Sequence, residues 1–199
     1  MNPTIFGSAQ RVSSGATALA ERVARSVVEV RGDEAGFGAG ILWGGPELVI
    51  TNAHCVHRGV TPEVNAGGQW RSARLLAHDP RRDLALLAAP GVNGPLVESR
   101  TSESLRAGEL VFATGHPHGV RDALTMGVIH GISRSERTNA VRWVISDVRL
   151  APGNSGGPLV DAEGRFIGIN SMVVNGLGVA VPADVVQQFV EGVLARRAA

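Results

Sequence analysis

The sequence predicts an all-β protein: two packed six-stranded antiparallel β-barrels, with a short N-terminal helix and a C-terminal helix. Three observations carry that expectation. Apolar runs of about 5 to 8 residues follow one another, each bounded by Gly, Pro, Asn or Asp. The 26 glycines supply tight turns between them. No helical stretches alternate with the strands, as a parallel sheet with crossover helices would require. Closing each sheet on itself explains how so many apolar strands stay soluble, because a barrel leaves no free edge.

The elements follow in chain order. "SGATALAERVAR", about residues 14 to 25, has apolar spacing near 3.6 and reads as a short helix capped by Ser13 or Ser14. Strand-like runs come next: "SVVEVRG", "GAGILWG", "ELVITNA", "WRSARLLAHD" and "DLALLAAP". The link between the first two is short and leaves no room for a long loop. The turn-rich "PGVNGPLVESRTSESLRAG", residues 90 to 108, reads as the connection between two halves. The second half repeats the rhythm with "ELVFATG", "ALTMGVIHGISR", "AVRWVISDV", "GPLVDAEG", "RFIGINSMVV" and "GLGVAVP". Within it, "PLVDAEGRFIGI" reads as a hairpin with an Asp-Ala-Glu-Gly turn. The last helix starts near Pro182 and would bury Val185, Val186, Phe189 and Val193. The chain thus divides into residues 1–25, a first barrel over 26–100, and a second barrel with its helix over 101–199, together one domain.

Composition narrows the function classes. Hydrophobic content of 44% and charged content of 19% suit a folded chain with a real core. A net charge of +1 gives no electrostatic case for nucleic acid or an anionic membrane. No apolar segment approaches the roughly 18 residues needed to span a bilayer. A basic n-region followed by an apolar h-region is not visible at the N-terminus, which is expected of a cytoplasmic protein or a mature form of an exported one. One cysteine, Cys55, cannot form an internal disulfide.

The strongest chemical signal is "PGNSGGPLV", residues 152 to 160. Gly and Pro crowd around one serine, which suits a sharply turned backbone whose N–H groups converge on one spot. Such donors can hold a developing oxyanion while the serine attacks a carbonyl. A plain Gly-rich turn is the competing account. A serine needs a base, and His54, His57, His78, His116, His118 and His130 are available. The base needs an orienting carboxylate. Asp83 stands directly before an apolar run, where a strand start could bury it; Asp79 competes from the turn-like "HDPRR".

"LVITNAHCV", "RRDLALL" and "PGNSGGPLV" occur in the order His, Asp, Ser, and together they resemble the chymotrypsin-fold, trypsin-like serine proteases. "TNAH", "DPRRDLALL", "VFATGHPHG" with "TMGVIHGISR", and "GLGVAVP" before a helix resemble the HtrA/Deg protease domain, over about residues 20 to 195. The resemblance implies a catalytic triad of His54, Asp83 and Ser155, with an oxyanion hole at Gly153 and Ser155 and Asn154 in a supporting turn. It also implies a serine endopeptidase acting on exposed or unfolded polypeptides, as in protein quality control, without a cofactor or metal. The rivals are a narrow-specificity processing protease or esterase-like hydrolase, and a protease-fold binding protein resting in an inactive conformation.

The remaining residues are weighed against that frame. The specificity pocket would be walled by Arg149, Leu150 and Ala151 before the serine and by Ile169, Asn170, Ser171 and Met172 after the hairpin. Neither stretch holds a carboxylate, so small or aliphatic side chains are expected at the cut site. Arg149 departs from the small residue expected there; pointing into the pocket it would select acidic side chains. The strand around Ile169 to Met172 would pair with the substrate backbone. His57 reads as a surface histidine. His116 and His118 lack further ligands at metal spacing. Cys55 reads as a buried small apolar side chain that pairs with nothing, unlike its counterpart in disulfide-bonded relatives. Family members commonly form trimers through the N-terminal segment, where Ile5 and Phe6 would make the contact, and usually carry PDZ domains after the protease domain; a chain that stops at the terminal helix is expected to be either a minimal protease or a truncated piece of a longer one.

Overall fold

The computed structural model describes residues 3–32, 37–45 and 47–198. Among the described residues, thirteen strands form two sheets, flanked by two long helices. The first sheet is built from β1 (Val27–Arg31), β2 (Phe37–Leu42), β3 (Leu48–Thr51), β4 (Glu63–Ala66), β5 (Gln69–Ser72), β6 (Arg74–Asp79) and β7 (Leu84–Ala88). Its order is β5-β4-β1-β2-β3-β7-β6. The second is a closed barrel of β8 (Leu110–Gly115), β9 (Ala123–Arg134), β10 (Val141–Ser146), β11 (Pro158–Asp161), β12 (Phe166–Val174) and β13 (Leu177–Pro182), in the order β10-β13-β12-β11-β8-β9.

The two-barrel architecture stands as expected, and every strand run of the second half forms a strand. The first half differs in detail: it is an open sheet of seven strands. Two sequence signals explain the extra ones. Glu63–Ala66 has a single fully buried apolar residue, Val64, so it does not read as an apolar run. "WRSARLLAHD" is two strands, because the chain breaks at Ala73, whose N–H donates to the carbonyl of Pro62 at 2.8 Å.

The N-terminal helix α1 runs Pro3–Ala24, so Ser13 and Ser14 lie inside it and cap nothing. Thr17 Oγ1 donates back to the Ser13 carbonyl at 3.1 Å, a bond that lets a hydroxyl residue sit in a helix interior. Leu19 and Val23 bury one face against Val27, Ala39, Phe112 and Val160, residues from both sheets. The side chains of Ile5 and Phe6, expected at a trimer contact, and the short link over 33–36 lie outside the described residues.

The C-terminal helix α2 (Ala183–Ala198) follows β13 directly. It buries Val186, Phe189, Val190 and Val193; Val190 joins the stripe, while Val185 is only half-buried. These side chains meet Ile41, Ile50, Leu84 and Leu86 from the first sheet and Phe166, Ile169 and Val181 from the barrel in one apolar cluster. Phe166 is fully buried and stands edge-on to Trp43, ring centroids 5.3 Å apart. The cluster therefore fixes one sheet on the other.

Among the described residues, no helix is long and apolar enough to cross a membrane. Phe166→Ala should cost about 3–5 kcal/mol, measured by denaturant unfolding, because it opens a cavity at this joint. Loss below 1 kcal/mol would show that the two sheets do not depend on the cluster.

Candidate active site

His54 lies in a single 3-10 turn, Ala53–Cys55, at the end of β3. Asp83 immediately precedes β7, which pairs with β3 in the register Thr51↔Ala85. Strand pairing thus brings together residues 29 positions apart. Asp83 adopts φ +55°, a left-handed conformation that Asp tolerates better than most residues. Its own carbonyl accepts the Asn52 side-chain amide at 2.9 Å.

His54 Nδ1 lies 2.9 Å from both carboxylate oxygens of Asp83, and the His54 backbone N–H donates to Oδ1 at 3.1 Å. The Ser171 hydroxyl donates to Oδ2. Burial pushes the Asp83 carboxyl up, but the hydrogen bonds from His54 and Ser171 outweigh it and hold the group below its ordinary value. The hydrogen bond to Asp83 raises the His54 pKa to about 10, with the adjacent Cys55 thiol adding to the effect and burial opposing it. Nδ1 then carries a proton toward the carboxylate, leaving Nε2 as the exchangeable position. The His54 side chain is 49% exposed and that of Asp83 only 15%, so the imidazole can meet a substrate while the carboxylate stays shielded. Asp79, the competing carboxylate, accepts the N–H groups of Arg81 and Arg82 and folds its own turn.

Ser155 arrives from the opposite sheet, on the turn before β11. Its carbonyl accepts the Ala39 N–H at 2.7 Å, a direct tie between the sheets. Its hydroxyl donates to the Ser171 carbonyl at 3.3 Å. Gly153 takes φ +104° and Gly156 φ +84°, conformations that favour glycine. A Cβ on Gly156 would lie 2.0 Å from the Ala39 carbonyl oxygen. The Asn154 N–H donates to the Ala151 carbonyl at 2.9 Å. The N–H groups of Gly153 and Ser155 have no hydrogen-bond partner among the described residues.

A cavity of about 690 Å³ gathers His54, Gly153 and Ser155, together with Leu150, Ala151, Ser171, Met172 and Val173. Three expected lining residues sit elsewhere. Arg149 is exposed and outside the cavity. Ile169 is fully buried in the inter-sheet cluster. Asn170 is buried, its amide donating to the carbonyls of Gly157 and Pro158, so it braces the serine turn. Strand periodicity accounts for this: alternate residues of β12 face opposite ways, and the register shifts between Asn170 and Met172.

The cavity also takes in Glu29, Phe37, His116 and His118, which motif reading did not select. Glu29 is ion-paired with Arg121 at 3.1 Å, and the signal for it, a lone charge inside a buried strand, was present in "VVEVR". His116 is buried; desolvation holds its pKa below the ordinary value against the charges of Glu29 and Asp122, and Nδ1 accepts the Asp122 N–H at 3.3 Å. Its backbone N–H donates to the Gly153 carbonyl at 3.0 Å. His57 is exposed. Among the described residues no group of three His, Cys, Asp or Glu is gathered closely enough to hold a metal ion.

Residues 38–169 match the trypsin-like peptidase domain. The chain belongs to the trypsin-like peptidase family. A relative in Pseudomonas putida named "Probable periplasmic serine endoprotease DegP-like" is 36% identical over 157 residues, which cover 75% of this chain and 33% of that protein. The chain spans between 33% and 41% of the length of the curated relatives it matches first. Among solved structures, the HtrA-type protease AlgW with a tripeptide superposes with TM-score 0.78 at 28% identity, covering 88% of this chain and 62% of that one. AlgW with a decapeptide gives TM-score 0.77 at 25% identity over 89% and 66%. The fold is therefore that of HtrA-type proteases.

Cys55 is buried against β2, its sulfur 3.7 Å from the Ser155 carbonyl. A Cβ on Gly38 would lie 2.5 Å from that sulfur. Gly38→Ala should lose about 1–3 kcal/mol of stability by overpacking. Adding Cys55→Ala should return a substantial part of it in thermal unfolding. Simply additive losses would exclude the sulfur contact as the cause.

Proposed function

We propose that the protein is a serine endopeptidase, with Ser155 as nucleophile, His54 as general base and acid, and Asp83 as the group that orients His54. The observation that carries the reading is the meeting, in one cavity, of His54, held from behind by Asp83, with Ser155 and with the N–H groups of Gly153 and Ser155, which have no partner among the described residues. Ser155 Oγ attacks the scissile carbonyl as its proton passes to His54 Nε2. The carbonyl oxygen becomes an oxyanion held by the two N–H groups, and His54 then protonates the leaving amine. Water, deprotonated by the same imidazole, cleaves the resulting acyl-enzyme and frees Ser155.

Substrates are exposed or unfolded polypeptides, the class the HtrA-type resemblance implies. Leu150, Ala151, Met172 and Val173 give the cavity an apolar wall suited to small or aliphatic side chains at the cut site. With Arg149 outside, selection of acidic side chains has no support. The exposed end of β12 beyond Ser171 offers an edge for an extended substrate backbone. The relative's periplasmic name favours the exported of the two compartments left open by the sequence.

One observation favours a second reading, a resting inactive state: the Ser155 hydroxyl donates to Ser171 rather than to His54. Rotation about the Ser155 Cα–Cβ bond must precede attack. A fluorophosphonate probe separates the two. Labelling of wild type but not of Ser155→Ala, together with casein cleavage, supports the endopeptidase; an unlabelled, inactive wild type supports the resting binding protein. Labelling without general proteolysis would instead indicate a narrow-specificity enzyme.

Two further outcomes are expected. His54→Ala and Ser155→Ala should each lower kcat by about 10,000-fold or more, the scale on which triads of this kind fail. A general base must be neutral, so activity belongs above the pKa of His54 and is lost as pH falls through it. With that pKa raised to about 10, kcat/KM should climb from pH 7 toward pH 10. A profile flat across that range would show that His54 is already neutral at pH 7 and that Asp83 does not raise its pKa so far.

A further inference from the structure

His78 lies on β6, in the same hairpin that presents Asp83: it pairs with Ala85, two residues beyond that aspartate. Its Nε2 is 3.1 Å from the carbonyl oxygen of Ala53, the first residue of the His54 turn, and 3.3 Å from that of Val56, the residue that follows it. Two acceptors facing one nitrogen place the proton on Nε2, which then donates to both.

The turn itself is weak. Its internal hydrogen bonds, Cys55 N–H to Asn52 and Val56 N–H to Ala53, are 3.2 and 3.3 Å long. A single 3-10 turn has poor hydrogen-bond geometry and no neighbouring turns to stiffen it. The orientation of His54 must therefore be imposed from outside. Asp83 does so from the side-chain end, through Nδ1 and the His54 N–H. His78 holds the backbone on both flanks of the same residue.

We propose that His78 is a positioning residue for the reaction: by clamping the carbonyls of Ala53 and Val56 it fixes the direction in which His54 presents Nε2 to Ser155. The proposal rests on the reading of His54 and Ser155 as base and nucleophile. His78 touches neither the cavity nor the reacting atoms, and its two bonds are to main-chain oxygens, so it sets the aim of the imidazole and leaves the binding pocket unaltered. Displacing a catalytic group by about 1 Å can cost about 100-fold in rate.

Fluorophosphonate labelling of Ser155, resolved into the limiting rate kinact and the half-saturating concentration KI, provides the test. His78→Phe keeps the ring and removes the donor. Its kinact should fall by about 10- to 100-fold with KI unchanged, and the acid limb of kinact against pH should move. His78→Gln, whose amide reaches as far as Nε2, should restore kinact to within about threefold. If His78→Phe does not fold, His78→Asn, whose amide stops short of the carbonyls, should show the same fall. A role confined to stability would lower Tm while kinact and the pH limb stayed at wild-type values; that result overturns the proposal. Absence of Ser155 labelling in the wild type would overturn the triad reading, and this one with it.

Discussion

A half-hidden carboxylate is the constraint around which this molecule is arranged. Asp83 is charged and largely removed from water, and an unpaired charge in that position is costly. It is satisfied by donors from both sheets: the imidazole and backbone N–H of His54 from the first, the hydroxyl of Ser171 from the second. Meeting its hydrogen-bonding needs therefore requires the two sheets to be in register with one another. The left-handed backbone of Asp83 and the hydrogen bond that the Asn52 side chain donates to its carbonyl show how much local structure is committed to aiming one side chain.

That register comes from packing behind the site and close backbone approach within it. The cluster around Phe166, Ile169 and Phe189 supplies non-directional attraction between the sheets. Direction comes from the Ala39 N–H to Ser155 bond, with Thr51 Oγ1 donating to the Ala39 carbonyl at 2.7 Å. Gly156 makes this approach sterically feasible, since any side chain there would run into Ala39 and Thr51. The apolar cluster and the glycine thus do different work: one holds the sheets together, and the other lets the serine turn come near enough to share a cavity with His54.

What could be read from the sequence follows from the range over which each signal acts. Strand runs in the second half were legible because each carries several buried apolar residues between turn residues, whereas β4 was not because only Val64 marks its core side strongly. The short N-terminal helix was expected to start at Ser13 or Ser14 because hydroxyl residues favour caps; burial of Leu19 and Val23 and helix continuity through Thr17 overrode that preference. At the site, His54, Asp83 and Ser155 were legible as motifs in order. Phe37 and His116 were not, since they reach the cavity through pairings and loop packing that no local pattern encodes, and Glu29 was marked only as a charge inside a buried strand. Ile169 and Asn170 were misplaced because a strand's two faces alternate, and the register shift beside Ser171 decides which residues face the cavity.

The raised pKa of His54 and the off-line hydroxyl of Ser155 fit one another. Asp83 holds the imidazole so firmly that its protonated form is favoured, and a protonated Nε2 offers no acceptor to Ser155. The hydroxyl donates instead to the carbonyl of Ser171 at 3.3 Å. Ser171 also donates its own hydroxyl to Asp83, so the residue that accepts the Ser155 hydroxyl is bonded to the carboxylate that holds His54. Deprotonating His54 restores an acceptor at Nε2 and removes a positive charge from beside Asp83, and both changes favour turning Ser155 toward the imidazole. The imidazole of His54 and the hydroxyl of Ser155 are thereby linked through two neighbouring groups, Asp83 and Ser171.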